Sequence, residues 1–278
     1  MSPPGKFLRS GKVKDIYQLD DGDLLFHFTD RVSAYDVVLP TKIPRKGEVL
    51  CKLGAHLFQT LGVPHHMIRL ESESMMVVRK MDMIPVECVV RGYLYGSLMD
   101  RLSKGEVSLP VERVLAAKLP SPYFDPTTKS ELKDEPITEG EIVSQGRATG
   151  EELESIKRST MRIFQTLGEK ASKSGFILAD LKLEFGKRDG EILLGDSIGP
   201  DEFRMWPASK YSPGKQQESY DKQPIRDWLS SEGYKARLDG ARKAGAPTPA
   251  PPELPGWLVE ETSKRYAAVY ESLSGSKL

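Results

Sequence analysis

Two carboxylates and an amine recur on one side of an alternating stretch that runs from Phe176 to Arg204, FILADLKLEFGKRDGEILLGDSIGPDEFR. Ile177, Ala179, Leu181, Leu183 and Phe185 point one way and Asp180, Lys182 and Glu184 the other, the period-two pattern of a half-buried strand. Lys187-Arg188-Asp189-Gly190 is a turn signal and Glu191 opens a second apolar run, so a hairpin is expected. A loop centred on Asp189 sets Asp196 opposite Lys182 and diagonal to Glu184 on one face. A slip of one residue would turn Asp196 toward the core, where a bare carboxylate is costly. Carboxylates converging beside an ammonium suit a hard cation such as Mg2+ that also carries phosphates. The same pattern fits a solvated strand face with an ordinary ion pair. The turn that follows favours the metal–phosphate reading, because Gly199-Pro200-Asp201-Glu202 adds carboxylates and Arg204 closes it.

Two further stretches carry anion-binding chemistry. Ser10-Gly11-Lys12-Val13-Lys14 is a small-residue turn opening a strand, able to lay backbone N–H groups and two ammonium charges over phosphates. It is no Walker loop, since GxxxxGK[ST] is lacking. Arg91 precedes Ser97 by six residues across a glycine-bearing turn, a spacing that can bring guanidinium and hydroxyl to one oxyanion. The loop Arg31-Val-Ser33-Ala-Tyr35-Asp36 matters only if it lies beside such a site. His65-His66 has no carboxylate or cysteine company and reads as a surface pair. The chain has no HRD–DFG pair, GxGxxG, HExxH or paired CxxC. A conventional protein kinase and Rossmann hydride transfer lose their main warrant.

These groups need a sheet-rich scaffold to hold them. Val13–Leu19 and Leu24–Thr29 flank Asp20-Asp-Gly22-Asp as a hairpin. Apolar residues at 50, 53, 57 and 61 predict a helix that stops at Gly62. Thr149-Gly-Glu-Glu152 is a capping box. It opens a long helix with apolar positions 153, 156, 160, 163, 164, 167 and 171, expected to cover the sheet that carries the Phe176 strand. Lys80–Pro85 reads as a connector, giving a division into 1–83 and 84–278. A short helix over Ile225–Ser231 and an amphipathic helix over Trp257–Leu273 are expected, with the proline-rich 245–255 between them as a stiff extended connector. With 278 residues, 40 basic and 40 acidic, nothing global argues for nucleic acid or an anionic membrane. No apolar run approaches a membrane span, and Cys51 and Cys88 read as buried free thiols. A cytoplasmic location is expected.

Taken together, SGKVKDIY (10–17), RVSAYD (31–36), KMDMIPVECVVRGYLYGS (80–97), the Thr128-Lys129 loop with DEPI, LADLKLEFG (178–186), GDSIGPDEFRMW (195–206) and SYDKQPIRDWL (219–229) appear in the order of one family. The chain resembles SAICAR synthetases (phosphoribosylaminoimidazole-succinocarboxamide synthases) over nearly its whole length. That resemblance implies an α+β fold with a small kinase-like N-terminal antiparallel-sheet lobe and a larger ATP-grasp-like lobe with C-terminal helices. It implies ATP and Mg2+ as cofactors, and carboxyaminoimidazole ribonucleotide and L-aspartate as substrates, with no nucleic acid and no membrane partner. By resemblance, Gly11, Lys12, Val13 and Lys14 would lie over the ATP phosphates. Lys80, Met81 and Met83 would face adenine, and Glu184 and Asp196 would hold magnesium. Arg91, Ser97 and Arg204 match positions that grip the ribonucleotide 5'-phosphate. Ser33, Asp36, Lys182, Asp201 and Lys222 belong to matching site motifs, and Lys129 and Asp134 fall in a loop near nucleotide and substrate. Lys14, Lys182, Asp36 and Asp201 are the catalytic candidates, the two aspartates as alternatives for the general base. The loop departs from the family pattern, since Lys133-Asp134-Glu135-Pro136 is short and carries proline where asparagine is common. A homodimer is expected on family grounds. A different ATP-dependent ligase, a small-molecule kinase and a non-catalytic nucleotide-binding module are the competing readings.

Overall fold

The computed structural model describes residues 3–129 and 134–278, so most of the acidic loop segment 131–135 lies outside the described residues. The chain divides into two compact units: Met1–His56 with Met67–Lys80 and Tyr220–Leu278, and Leu57–His66 with Met81–Ser219. The chain passes from one unit to the other after His56, His66, Lys80 and Ser219.

In the first unit, strands β1 (Lys6–Ser10), β2 (Lys14–Gln18), β3 (Leu24–Phe28), β6 (Met67–Ser72) and β7 (Met75–Val78) form an antiparallel sheet of order β1-β2-β3-β7-β6. The hairpin read from Asp20–Asp23 is present as β2 against β3, Lys14 opposite Phe28. Strands β4 (Arg31–Ala34) and β5 (Val37–Lys42) make a separate hairpin. Its two-residue loop, Tyr35-Asp36, has both φ values positive, 52° and 66°. This is the turn whose twist matches the strands it joins, here built without glycine. The helix predicted from the spacing at 50, 53 and 57 is α1 (Lys46–Thr60).

In the second unit, β8 (Asp82–Met83), β13 (Phe185–Arg188) and β14 (Glu191–Leu194) form one antiparallel sheet. The other has the order β10-β9-β12-β15, from β9 (Val86–Tyr93), β10 (Lys118–Phe124), β12 (Phe176–Leu183) and β15 (Phe203–Pro207), with β11 (Thr127–Thr128) added beside β9. Helix α2 is Ser97–Ser103 and α3 is Glu139–Ser144. Helix α4 (Gly150–Lys173) starts at the expected capping box, Thr149 accepting from Glu152 N–H and Glu152 reaching back. Leu153, Ile156, Thr160, Ile163, Phe164, Leu167 and Ala171 are its buried positions, the stripe read from the sequence, and they face β9 and β12.

The Phe176 strand departs from its reading in two ways. It is central, with β9 on one side and β15 on the other, so Asp180 on its polar face is buried rather than solvated. At Glu184 the chain leaves that sheet and continues as β13 in another.

Helices α5 (Gln223–Ser231), α6 (Tyr234–Ala244) and α7 (Gly256–Ser274) belong to the first unit. Ile225, Leu229, Tyr234, Leu238, Leu254 and Leu258 bury against Val32, Ala34, Leu39 and Ile43 of the β4–β5 hairpin region. Leu254 lies in the proline-rich connector, whose N–H there bonds Thr41 Oγ1 at 2.8 Å, while Pro249 C=O accepts from Tyr234 Oη at 3.1 Å. The connector is therefore tied down at Pro249 and Leu254. Both cysteines are free and buried, and burial pushes the Cys51 thiol up to about 12. Among the described residues no helix is long and apolar enough to cross a membrane.

Candidate active site

The β13–β14 loop is a two-residue turn, Asp189-Gly190, with φ values of 53° and 81°. It pairs Phe185 with Leu194 and Arg188 with Glu191, one residue away from the register expected for a loop centred on Asp189. The slip does not bury Asp196, because the ladder ends at Leu194 and Asp196 itself turns out of line at φ 53°. A left-handed aspartate costs about 1 kcal/mol. Gly195 N–H donates to Glu184 C=O at 2.8 Å, so the backbone still ties the two acidic positions together.

Around them stands a cluster of acids and amines. Lys182 Nζ donates to Glu87 Oε1 at 2.6 Å and lies 3.5 Å from Glu184 Oε1, while Lys129 Nζ donates to the other Glu184 oxygen. Thr127 Oγ1 donates to Glu87 Oε2 at 3.2 Å. Burial pushes the Glu87 carboxyl up, and the Lys182 ammonium pulls against it. Desolvation would lower Lys182, but Glu87, Glu184 and, more weakly, Asp196 hold it above the usual ammonium range. Asp134 acts electrostatically on Glu87 from the loop. Four carboxylates thus share two ammonium groups. A surplus of hard oxygen donors of this kind fits a divalent cation. Among the described residues no three His, Cys, Asp or Glu side chains converge to hold a metal by themselves. A pair of carboxylates suits an ion whose other ligands are phosphate oxygens and water.

A second constellation crosses the large sheet of the same unit. Arg91 on β9 is opposite Asp180 on β12, and Asp180 is opposite Arg204 on β15. Directly opposed residues share a face, so the three form a row, with Arg204 Nη1 donating to Asp180. Arg91 Nη2 donates to Ser97 Oγ at 3.1 Å. Its Nε donates to Asp125 at 2.6 Å, and Arg101 Nη1 takes the other Asp125 oxygen at 2.6 Å. Arg204 lies over the Tyr95 ring, 5.5 Å from its centroid. Gly96, at φ 58°, leaves that guanidinium room, since a Cβ there would come within 3.2 Å of it. Three guanidinium groups against two carboxylates leave positive charge beside a hydroxyl, the make-up of a phosphate site.

In the first unit, Gly11 N–H closes a tight turn on Lys14 C=O at 2.7 Å. Arg31 holds that loop from one side, donating to Gly11 C=O at 3.1 Å and to Asp15 at 2.7 Å. Burial alone would raise the Asp15 carboxyl, but its bonds to Arg31 and Ser10 hold it below the usual range. Lys12 Nζ pairs with Asp36 at 2.5 Å, so the loop and the β4–β5 turn meet. Lys14 is buried with its ammonium 4.6 Å from the Phe26 ring centroid. Ser33 is buried on β4, Lys80 N–H donates to Asp23 at 3.4 Å, and Lys222 stands at the start of α5.

The connector of the second unit carries Met81 and Met83, the latter within β8 and paired with Gly186. Met81 fits where it does because Gly186 and Gly195 lack side chains: a Cβ on either would fall within 3.0 Å of it. Asp201 occupies the turn before β15. The expected surface pair His65-His66 is corrected by the structure, since His66 is only 2% exposed and its Nε2 meets Asp196 C=O at 3.1 Å. Glu87 and Asp125 were passed over in the sequence. Glu87 sits in an apolar run and Asp125 in a proline-bounded loop, and each gains its partners only through strand pairing.

With this geometry in hand, similarity to known proteins has a definite place to attach. A sequence model described as SAICAR synthetase matches residues 7–241. The phosphoribosylaminoimidazole-succinocarboxamide synthase of Nitrosopumilus maritimus is 50% identical over 275 residues, covering 98% of this chain and 100% of the relative. That of Corynebacterium urealyticum is 42% identical over 287 residues, covering 97% and 94%. Among solved structures, SAICAR synthase from Saccharomyces cerevisiae complexed with SAICAR superposes with a TM-score of 0.83 at 31% identity, covering 98% of this chain and 95% of that one. A type-2 SAICAR synthetase in complex with ADP gives 0.73 at 28% identity, covering 97% and 98%. Sequence, fold and the whole length of the chain agree: it belongs to the SAICAR synthetase family.

Proposed function

We propose that this protein joins L-aspartate to carboxyaminoimidazole ribonucleotide, consuming ATP and giving SAICAR, ADP and phosphate in purine biosynthesis. The observation that carries the reading is the full-length likeness to a SAICAR synthase solved with SAICAR. An ADP complex of a second neighbour supports nucleotide use.

A carboxylate acylates poorly because oxide would have to leave. The imidazole carboxylate oxygen attacks the γ-phosphorus of ATP, the bond to ADP breaks, and an acyl phosphate results. The aspartate amine then attacks the acyl carbon, phosphate departs with the C–O electron pair, and the amine proton passes to a base. No enzyme nucleophile is required, so positioning and charge neutralisation are the protein's main tasks. In this reading Arg91, Ser97 and Arg204 grip the 5'-phosphate, with Asp125 and Asp180 holding the guanidinium groups in line. Lys129 and Lys182 keep Glu184 in place and face the phosphoryl oxygens, and Lys12 and Lys14 cover the nucleotide phosphates. Glu184 and Asp196 would hold Mg2+, which offsets phosphate charge when bound. Asp36 and Asp201 remain the alternatives for the base. Met81 and Met83 would border adenine, with Lys80, and Ser33, Asp134 and Lys222 would line the substrate region. A homodimer and a cytoplasmic location rest on the resemblance, and sedimentation of the purified protein tests the first.

Release of ADP measured with ribonucleotide, with and without aspartate, separates this reading from a small-molecule kinase. A kinase would turn over at full rate without aspartate. A ligase yields sustained ADP only when aspartate is present, and amide product in equal amount. Steady ADP release without aspartate would reject the proposal.

A further inference from the structure

The segment before β6 reaches the metal-facing turn by backbone pairing. Leu194 N–H donates to Pro64 C=O at 2.9 Å and His66 N–H to Leu194 C=O at 3.0 Å, so residues 64–66 run as a short parallel partner to the end of β14. This fixes where the His66 ring emerges. The ring is buried with its edge on Phe58, centroids 5.3 Å apart at 64°. Its Nε2 is 3.1 Å from Asp196 C=O. A carbonyl only accepts, so Nε2 carries the proton in this contact.

We propose that His66 is a positioning residue for Asp196. Asp196 lies at φ 53° beyond the end of the β13–β14 ladder. Two bonds tie the backbone here: Gly195 N–H to Glu184 C=O, and Asp196 C=O to His66. Rotating that carbonyl would swing the Asp196 side chain relative to Glu184 and Lys182. His66 thereby bears on the separation of the two carboxylates through the Asp196 backbone. Groups that orient ligands in this way commonly govern affinity as strongly as direct contacts. The inference rests on Asp196 being a magnesium ligand, and its test keeps the two ideas apart.

Mn2+ binding to the enzyme in the presence of ADP can be followed by the electron paramagnetic resonance of the free ion. His66→Phe retains the ring against Phe58 and removes the donor, whereas His66→Gln keeps a donor at similar reach. His66→Phe should weaken Mn2+ binding about 10-fold, the usual scale for loss of a ligand-orienting group. His66→Gln should recover most of that loss, and the KM for ribonucleotide should stay unchanged in both. If His66→Phe does not fold, His66→Asn, whose amide is too short to reach, takes its place with the same expectation. Normal Mn2+ binding in a folded donor-less variant overturns the proposal, as does equal damage to metal binding and ribonucleotide KM that His66→Gln fails to relieve. Asp196→Asn is the control. If it binds Mn2+ normally, the metal assignment fails and the His66 proposal falls with it; if it loses Mn2+ while His66→Phe does not, only the role of His66 is rejected.

Discussion

Asp125 balances two guanidinium groups with one carboxylate, and it is only 2% exposed. Its removal would leave Arg91 and Arg101 facing one another in a site that excludes most water. Breaking a buried ion pair from one side costs about 3–5 kcal/mol. Asp125→Ala should therefore lose stability on that scale in a denaturant titration. The loss should shrink when ribonucleotide is present, because a bound phosphate supplies the missing negative charge and binds only the folded chain. A variant equally unstable with and without ribonucleotide would show that this row of arginines is not a phosphate site. Lys182 poses the opposite problem, one ammonium among several carboxylates. Glu87 and Glu184 hold its pKa above the usual ammonium range, so the charged form is favoured.

Secondary structure was most legible where local chemistry sufficed. The α4 capping box and its apolar stripe could be read directly, because both depend on residues within one helix. Thr149→Ala should destabilise the second unit by about 1 kcal/mol, seen as a lower Tm. The Glu152 half of the box also predicts a pH effect. Its backbone bond to Thr149 and its contact with Lys187 hold the carboxyl below the usual value. Its contribution is complete above the ordinary glutamate pKa and disappears as pH falls through the depressed one. Wild-type stability should therefore drop more steeply in acid than that of Glu152→Gln, and parallel curves would contradict the assignment. The strand register was less legible, since a loop of Asp189-Gly190 can be counted in two ways that differ by one residue. Helix α6 escaped notice for a different reason. Only Tyr234 and Leu238 are buried on it, too few to show a periodic face.

At the level of the whole chain, the separate motifs were legible but their company was not. Arg91, Ser97 and Arg204 could be picked out singly, whereas the row through Asp180 exists only because β9 and β15 flank β12. His66 looked like a loop residue because its partner lies 130 positions away. Tyr220–Leu278 packs with the first unit, across the intervening Met81–Ser219, for the same kind of reason. A chain ending at Ser219 should keep the second unit ordered and leave the first open. Hydrogen exchange would show protection on α4 and β12 but none on β4 and β5, and protection of β4 in that fragment would refute the division. The closing of the β4–β5 core by α5, α6 and α7 also bears on how the protein is born. Val32, Leu39 and Ile43 leave the ribosome long before the side chains that shelter them. The intervening polypeptide can acquire its shape while these strands still wait, exposed, for helices made after it.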